Sequence, residues 1–440
     1  MNEVWIIAGM FAALLLGIAS GHPIAFVFGG IAMLFGLTSW GTGIIDIFVS
    51  AVFSTMNNYT LVAIPLFTLM ANFLSRSAVA EGLFESLRYL LGPVRGGLAV
   101  AVIVVSTIFA ATTGIVGASV VTMGLLAAPV LEKYGYRKEI SAGVITAGGT
   151  LGVLIPPSIM LIVMGNEAEL SVGKLFLAAI VPGLLLSLCY VLYVLGLCWR
   201  YPERGPALSA EEAAAMPIAK RISGALVNLV PPVILVAAVL GSIFSGWATP
   251  TEASGVGAFV ALLMTVAYGR FSLTMLKESV QETAKITAMA MVTIVGAVCF
   301  TALFHSMDGD QIIVDFVSHL NLNKWGVYMV IMLLTFVLGA FIDWIAIVLI
   351  LFPIFLPLIR QYDLDPLWVI TCVAVMLQTA FLTPPVGGSL FYFKGVAPPG
   401  MQWGHILRGA LPFVAVMLVV VVLISLFPQL VLWLPGQAKF

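Results

Sequence analysis

Charge is what this 440-residue chain has least of. Aspartate, glutamate, lysine and arginine make up 9% of it, where a soluble chain carries about a quarter, and the apolar share is 61%. So few ionisable side chains cannot cover a water-facing surface, which excludes a soluble globular protein. With 19 basic against 20 acidic residues the net charge is -1, and no block of like charge offers a surface to nucleic acid. Cysteine and histidine are equally sparse. Cys189, Cys198, Cys299 and Cys372 lie in or at the end of apolar runs with no Cys-x-x-Cys spacing, and His22, His305, His319 and His405 form no His-x-x-x-His pair. Disulfide and metal chemistry are therefore not expected, and the cysteines read as small buried hydrophobes. A phosphate-binding loop is missing too, since Gly173-Lys174 runs into Leu175 without the upstream glycine. No nucleophile and base pair stands within the apolar runs, so an enzyme is not expected. Any energy must come from an ion gradient or a partner.

What the chain does have is apolar length. About ten to twelve runs, at roughly 20 residues per crossing, predict an all-α polytopic membrane protein. The first 20 residues carry Glu3 and no basic stretch, which reads as a retained membrane segment rather than a cleaved signal. Arg200 to Arg221 is the longest polar stretch and reads as a linker between a first half, 1–199, and a second, 222–440. Thr249, Pro250 and Glu252 spell a helix-starting capping box, to which no chemistry is assigned.

The halves look like copies. Pro156-Pro157 and Pro384-Pro385 stand 228 positions apart, and the same offset relates APVLEKY (Ala128 to Tyr134) to LPLIRQY (Leu356 to Tyr362). Each double proline interrupts an apolar run, Ile140–Gly165 and Trp368–Gly395, and no continuous helix tolerates it there. Backbone freed in hydrocarbon must be satisfied by protein or by a water-lined cavity, so paired interruptions in two halves point to a transporter binding site. Leu98–Val130 and its partner Gly326–Leu358 are too long for straight crossings and are expected to unwind at mid-membrane, at ATTGIVGAS (Ala111 to Ser119) and GAFIDWIA (Gly339 to Ala346). Asn57–Ser75, interrupted by Pro65, and its partner Lys285–Leu303 are expected as re-entrant hairpins. Ser77–Gly97 is amphipathic and should lie along the membrane surface. One short loop carries Lys133, Arg137 and Lys138 while its partner has Arg360 with Asp363 and Asp365, the opposite bias an inverted repeat predicts.

Two sets of residues suggest chemistry. Thr112, Thr113, Gly114, Gly117 and Ser119 could offer hydroxyl and carbonyl oxygens to a small cation; the competing explanation is close helix packing by small residues. Asp343 lies deep in an apolar run, where a carboxylate costs several kcal/mol unless it is paired or faces a cavity; a purely structural hydrogen bond to broken backbone is the alternative.

IPLF (Ile64 to Phe67), TTGIVGAS, GGTLGVLIPPS (Gly148 to Ser158), ATPTEA (Ala248 to Ala253) and LTPPVG (Leu382 to Gly387), in this order and across essentially the whole chain, resemble the large membrane subunit of tripartite ATP-independent periplasmic (TRAP) transporters. The resemblance implies a sodium-coupled importer of an organic acid, such as a C4-dicarboxylate or sialic acid, in the bacterial inner membrane. It implies an elevator-type fold with a scaffold, a mobile transport domain and two hairpins. It also implies two partners, a separate small four-helix membrane subunit and a periplasmic substrate-binding protein, with Na+ as coupling ion and no other cofactor. Carried onto this sequence, sodium ligands would fall at Thr112, Thr113, Gly114, Gly117, Ser119, Gly148, Gly149 and Pro156 in the first half. In the second they would fall at Gly339, Asp343, Thr379, Thr383, Pro384 and Gly387. Because Val386 replaces Ser158 at the repeat offset, the two sites should differ. Candidate substrate contacts are Asn57, Pro65, Ser158, Thr301 and Asp343. Rival readings are a stand-alone sodium:anion symporter, betrayed by uptake without a binding protein, and a channel, betrayed by single-channel currents.

Overall fold

A computed structural model describes residues 2–209 and 217–438, and among these every regular element is helical. The expected linker starts where a long helix ends at Arg200, but a new helix begins at Ile218, and 210–216 lie outside the described residues. In chain order the helices are α1 (Asn2–Ala19), α2 (Ile24–Trp40), α3 (Ile44–Met56), α4 (Ala63–Ser75), α5 (Val79–Leu91), α6 (Gly97–Thr113), α7 (Val116–Lys133), α8 (Lys138–Thr150), α9 (Ile159–Glu167) and α10 (Val172–Arg200). The second half continues with α11 (Ile218–Phe244), α12 (Pro250–Ala267), α13 (Leu273–Ser306), α14 (Gly309–His319), α15 (Lys324–Phe341), α16 (Trp344–Gln361), α17 (Pro366–Leu377), α18 (Gly388–Val396), α19 (Trp403–Leu426) and α20 (Gln429–Gln437).

The offset of 228 recurs in these boundaries: adding it to α7 gives Trp344–Gln361, which is α16. Contacts between the halves are reciprocal as well. Helix α4 packs along α12, and α2 packs along α13; exchanging the halves turns one pairing into the other, as a pseudo-twofold requires.

Backbone contacts show which way each segment runs. Gly96 N–H donates to Gly205 O at 2.9 Å, Leu98 N–H to the Tyr136 hydroxyl at 3.2 Å, and Arg137 N–H to Arg204 O at 3.0 Å. The start of α6, the end of α7 and the end of α10 therefore share one face of the molecule. Helix α10 has 29 residues, about 43 Å at 1.5 Å per residue, so its start lies at the opposite face. There Glu169 pairs with Arg360 at 3.9 Å, and Lys324 Nζ donates to Asp363 O, bringing the start of α15 to the end of α16. Thus α6–α7 and α15–α16 are each a helical hairpin, and the two enter from opposite faces. The segments α8–α9 and α17–α18 cross between the faces, since Lys138 Nζ donates to Gly400 O at 2.9 Å beyond the end of α18. The repeat is inverted.

Two expectations are corrected by this path. Leu98–Val130 and Gly326–Leu358 are the hairpins, not crossing helices unwound at mid-membrane. The hairpins expected at Asn57–Ser75 and Lys285–Leu303 do not form. Lys285–Leu303 lies inside the unbroken 34-residue α13, because it contains no proline and its one glycine, Gly296, packs against Ala25, where a Cβ would sit 2.4 Å from the carbonyl oxygen. Asn57–Ser75 is a short turn leading into α4, where Pro65 occupies the first turn that proline tolerates. Helix α5 follows α4 at a bend of 55° and is amphipathic, burying Val79, Leu83, Phe84 and Leu87 with Glu81 and Glu85 on its other side. With α2 and α3 counted together, nine described helices are long and apolar enough to cross a membrane, or ten if the bent pair counts as one span, but three of the nine (α7, α15 and α16) are hairpin arms that turn back. The capping box forms as expected, with Thr249 and Glu252 reciprocally bonded.

Glycine sets the closest approach in the core. A Cβ on Gly409 of α19 would lie 2.1 Å from Glu139 O of α8, and one on Gly143 would lie 2.4 Å from Gly409 O. Gly409→Leu should therefore destabilise by about 3 kcal/mol through overpacking against rigid backbone, read as a lowered melting temperature in detergent; an unchanged melt would contradict this packing.

Candidate functional site

The hairpin tips end on the double prolines. Gly114, at φ +64°, closes tip 1 where α6 stops, and a Cβ there would be 3.0 Å from Pro157 O. Thr113 and Ser119 hydroxyls are 2.9 Å apart, and Thr112 and Thr113 both donate to Phe109 O, at 2.7 and 3.1 Å. A hydroxyl that gives its proton to a carbonyl keeps its lone pairs, so this tip presents oxygens suited to a cation. Across from it α8 ends in a single 3-10 turn, the Pro156–Pro157 peptide is cis, and Ser158 caps α9 by accepting from Leu161 N–H at 3.3 Å.

Tip 2 repeats this layout. Val386 N–H donates to Ala340 O at 3.2 Å, Gly339 packs on Ala380, and Thr379 and Thr383 donate to carbonyls one turn back at 2.7 Å each. Pro384–Pro385 is again cis, and Gly387 takes φ +27° at the start of α18. The broken helices also touch each other, since Ser389 Oγ donates to Thr146 O at 2.8 Å.

One difference separates the tips. Position 115, the counterpart of 343 at the offset of 228, is isoleucine and caps α7 with no side-chain acceptor. Asp343 caps α16, accepting from Ile345 N–H at 3.3 Å, so its structural role and an ionic one are compatible.

Both tips open on one cavity of about 710 Å³. Tip 1 contributes Gly114 to Gly117 and tip 2 Asp343 to Ala346, while Val153, Ile159, Phe381 and Tyr392 come from the broken crossings. The opposite wall is Pro23 to Phe26 at the start of α2 and residues between Ile286 and Thr293 of α13. Among the described residues Asp343 is the one charged side chain on this wall.

The structure brings most sequence-predicted residues together. Gly114 of tip 1 meets Pro157 and Ser158 at one junction; Gly339 meets Ala380 and Ala340 meets Val386 at the other, between Thr379, Thr383, Pro384 and Gly387 in the chain, while Gly117 meets Tyr392 and Asp343 lines the cavity. Gly148 and Gly149 have a packing reason, since a Cβ on them would lie 2.8 Å from Ser106 Oγ and 2.2 Å from Val120 Cγ2. Of the substrate candidates, Asn57 is exposed and its amide turns back to Phe53 O at 2.9 Å, away from the cavity lining. Pro65 is next to the lining residue Ile64, and Thr301 lies eight residues past Thr293, about 12 Å further along α13. Sequence reasoning missed Thr293, Met289, Trp344 and Tyr392, whose ring lies 3.3 Å from a Cβ built on Gly117. The small residues GGS before Tyr392 are the one signal that could have pointed to it.

Comparisons with known proteins place the chain in a family. The family model described as tripartite ATP-independent periplasmic transporter, DctM component, matches residues 10–430. The chain is similar to the C4-dicarboxylate TRAP transporter large permease protein DctM of Pseudomonas aeruginosa, with 35% identity covering 87% of this chain and 88% of that one. It is also similar to the sialic acid TRAP transporter large permease protein SiaM of Vibrio cholerae, with 28% identity over 94% and 95%, and to the ectoine/5-hydroxyectoine permease UehC of Ruegeria pomeroyi, with 29% over 98% and 97%. Among solved structures the Alcanivorax borkumensis YdaH transporter shares the fold, with a TM-score of 0.62, 17% identity and coverage of 91% and 90%. An inverted, all-helical inner-membrane protein whose hairpin tips meet two broken helices, matched over nearly its whole length, thus belongs to the DctM family of TRAP transporter large permeases.

Proposed function

We propose that the chain carries an organic acid inward across the bacterial inner membrane, coupled to sodium, by an elevator movement. The observation behind this is the meeting of both hairpin tips and both broken helices at one cavity. Sodium binds at the two junctions. In the first, Thr112, Thr113, Gly114 and Ser119 face Pro156 and Ser158; in the second, Gly339 and Asp343 face Thr379, Thr383, Pro384 and Gly387. The solute sits between them in the cavity, where it meets the amides at the start of α7. With no basic side chain among the lining residues, the positive charge that an anion needs is supplied by bound Na+, and that is the coupling.

Helices α2 and α13 form the scaffold wall, past which the hairpins and broken crossings move together. The face bearing Arg88, Lys133, Arg137, Lys138, Arg200 and Arg204 is cytoplasmic, against Lys174, Lys324 and Arg360 opposite, by the excess of basic residues. A periplasmic binding protein delivers the acid, and a small membrane subunit holds the scaffold. The large subunits for C4-dicarboxylates and sialic acid resembled by this chain make carboxylates the substrate class to test first.

If more Na+ than carboxylate charge enters per cycle, each extra charge gains about 2.3 kcal/mol per 100 mV, so uptake is electrogenic. In proteoliposomes with both partners, replacing sodium by choline is expected to abolish accumulation, and an inside-negative potential to increase it. Uptake that persists without sodium would reject the coupling; uptake without the binding protein would favour the stand-alone symporter.

A further inference from the structure

A second pocket, of about 240 Å³, opens on the basic face, away from the cavity. Three arginines from three separate elements line it: Arg137 just before α8, Arg204 just after α10 and Arg408 in the second turn of α19. They are held together by backbone, since Arg137 N–H donates to Arg204 O at 3.0 Å and Gly409 lets α19 press against α8 at Glu139. The charges do not cancel. Glu139, 3.5 Å from Arg137 Nε, is the one carboxylate on the wall, leaving a net of two positive charges. Glu203 is 4.0 Å from Arg204 but 70% exposed and outside the lining. Arg204 stacks on the Tyr201 ring at 4.2 Å, and its Nε is buried without a hydrogen-bond partner; Arg408 has no ion-pair or hydrogen-bond partner among the described residues.

The floor is apolar. Tyr193 and Leu197 lie on the last turns of α10, with Tyr193 about 10 Å inward of its end, and Phe413 lies about 15 Å inward along α19. Cations at the ends of crossing helices with apolar side chains descending beneath them match a phospholipid, whose phosphate stays at the boundary while a chain runs inward. Guanidinium groups suit phosphate oxygens, and a net positive wall favours a head group of net negative charge. We propose that this pocket binds the phosphate of an anionic phospholipid of the leaflet on the basic face. The bound lipid then ties α8, α10 and α19 together at their ends on that face.

The test uses the full chain purified in detergent and stripped of co-purified lipid, melted with phosphatidylglycerol, phosphatidylcholine or inorganic phosphate. Phosphatidylglycerol is expected to raise the melting temperature by a few degrees, the other two by less than about one degree. Arg408→Gln, a change at an exposed side chain, should lose most of that shift, while Glu139→Gln, which removes the opposing charge, should enlarge it. An equal shift with phosphatidylcholine, an equal shift with inorganic phosphate, or an undiminished phosphatidylglycerol shift in Arg408→Gln would overturn the proposal.

Discussion

Asp343→Ala is expected to fold and insert but to lose sodium-driven uptake by about 100-fold, the scale on which loss of an ion's coordinating support is felt. The loss of its cap on α16 removes about 1 kcal/mol locally, too little to unfold a helix whose Ile345 to Phe352 are all buried. Transport should suffer more, because Asp343 is the one charged group on the cavity wall among the described residues and the feature that distinguishes tip 2 from Ile115 of tip 1. Asp343→Asn separates the two contributions. The amide keeps an oxygen for the cap but removes the charge, so its melt should match the parent while its uptake falls. Initial rates in proteoliposomes against sodium concentration measure this; a wild-type sodium dependence in both variants would assign Asp343 to structure alone.

The second large effect concerns Gly114. At φ +64° a β-branched residue is strongly disfavoured, and the Cβ would press to 3.0 Å from Pro157 O at the contact between tip 1 and the broken crossing. Gly114→Val should cost about 2 to 3 kcal/mol at the tip and push the hairpin off the double proline, leaving less than about a tenth of the parental uptake. Gly114→Ala, which meets the same carbonyl with a smaller group, should fall between. Uptake rates normalised to protein in the membrane provide the comparison, and parental rates in the valine variant would show that the tip does not need this contact.

The duplication was legible in the sequence because its markers are covalent. Double prolines and the APVLEKY and LPLIRQY stretches keep their spacing whatever the chain does between them, and α7 and α16 obey that spacing. The direction of travel was not legible. At Gly114–Ile115 and at Ile342–Asp343 the helix stops and restarts, and an apolar run with a break reads the same whether the chain continues onward or turns back. Only long-range contacts decide it, such as Leu98 with Tyr136 and Lys324 with Asp363, and no local pattern encodes these. The error at Lys285–Leu303 was of the opposite kind. Its hairpin was expected as the repeat partner of Asn57–Ser75, yet nothing in the stretch removes a backbone donor, so the helix runs on to Ser306. The glycine, proline and hydroxyl residues singled out in the sequence lie at the junctions because such residues mark breaks in helices, and the breaks are where the junctions form. Thr293 and Met289 lie on an unbroken helix and reach the cavity only through its packing.

Binding of radiolabelled sodium to the purified chain in lipid nanodiscs is the most direct test that the two tip junctions are ion sites. Saturable binding is predicted, reduced by Thr113→Val with Ser119→Ala at tip 1 and separately by Asp343→Ala at tip 2, with further loss when the changes are combined. No saturable binding, or binding that both sets of changes leave intact, would contradict the account.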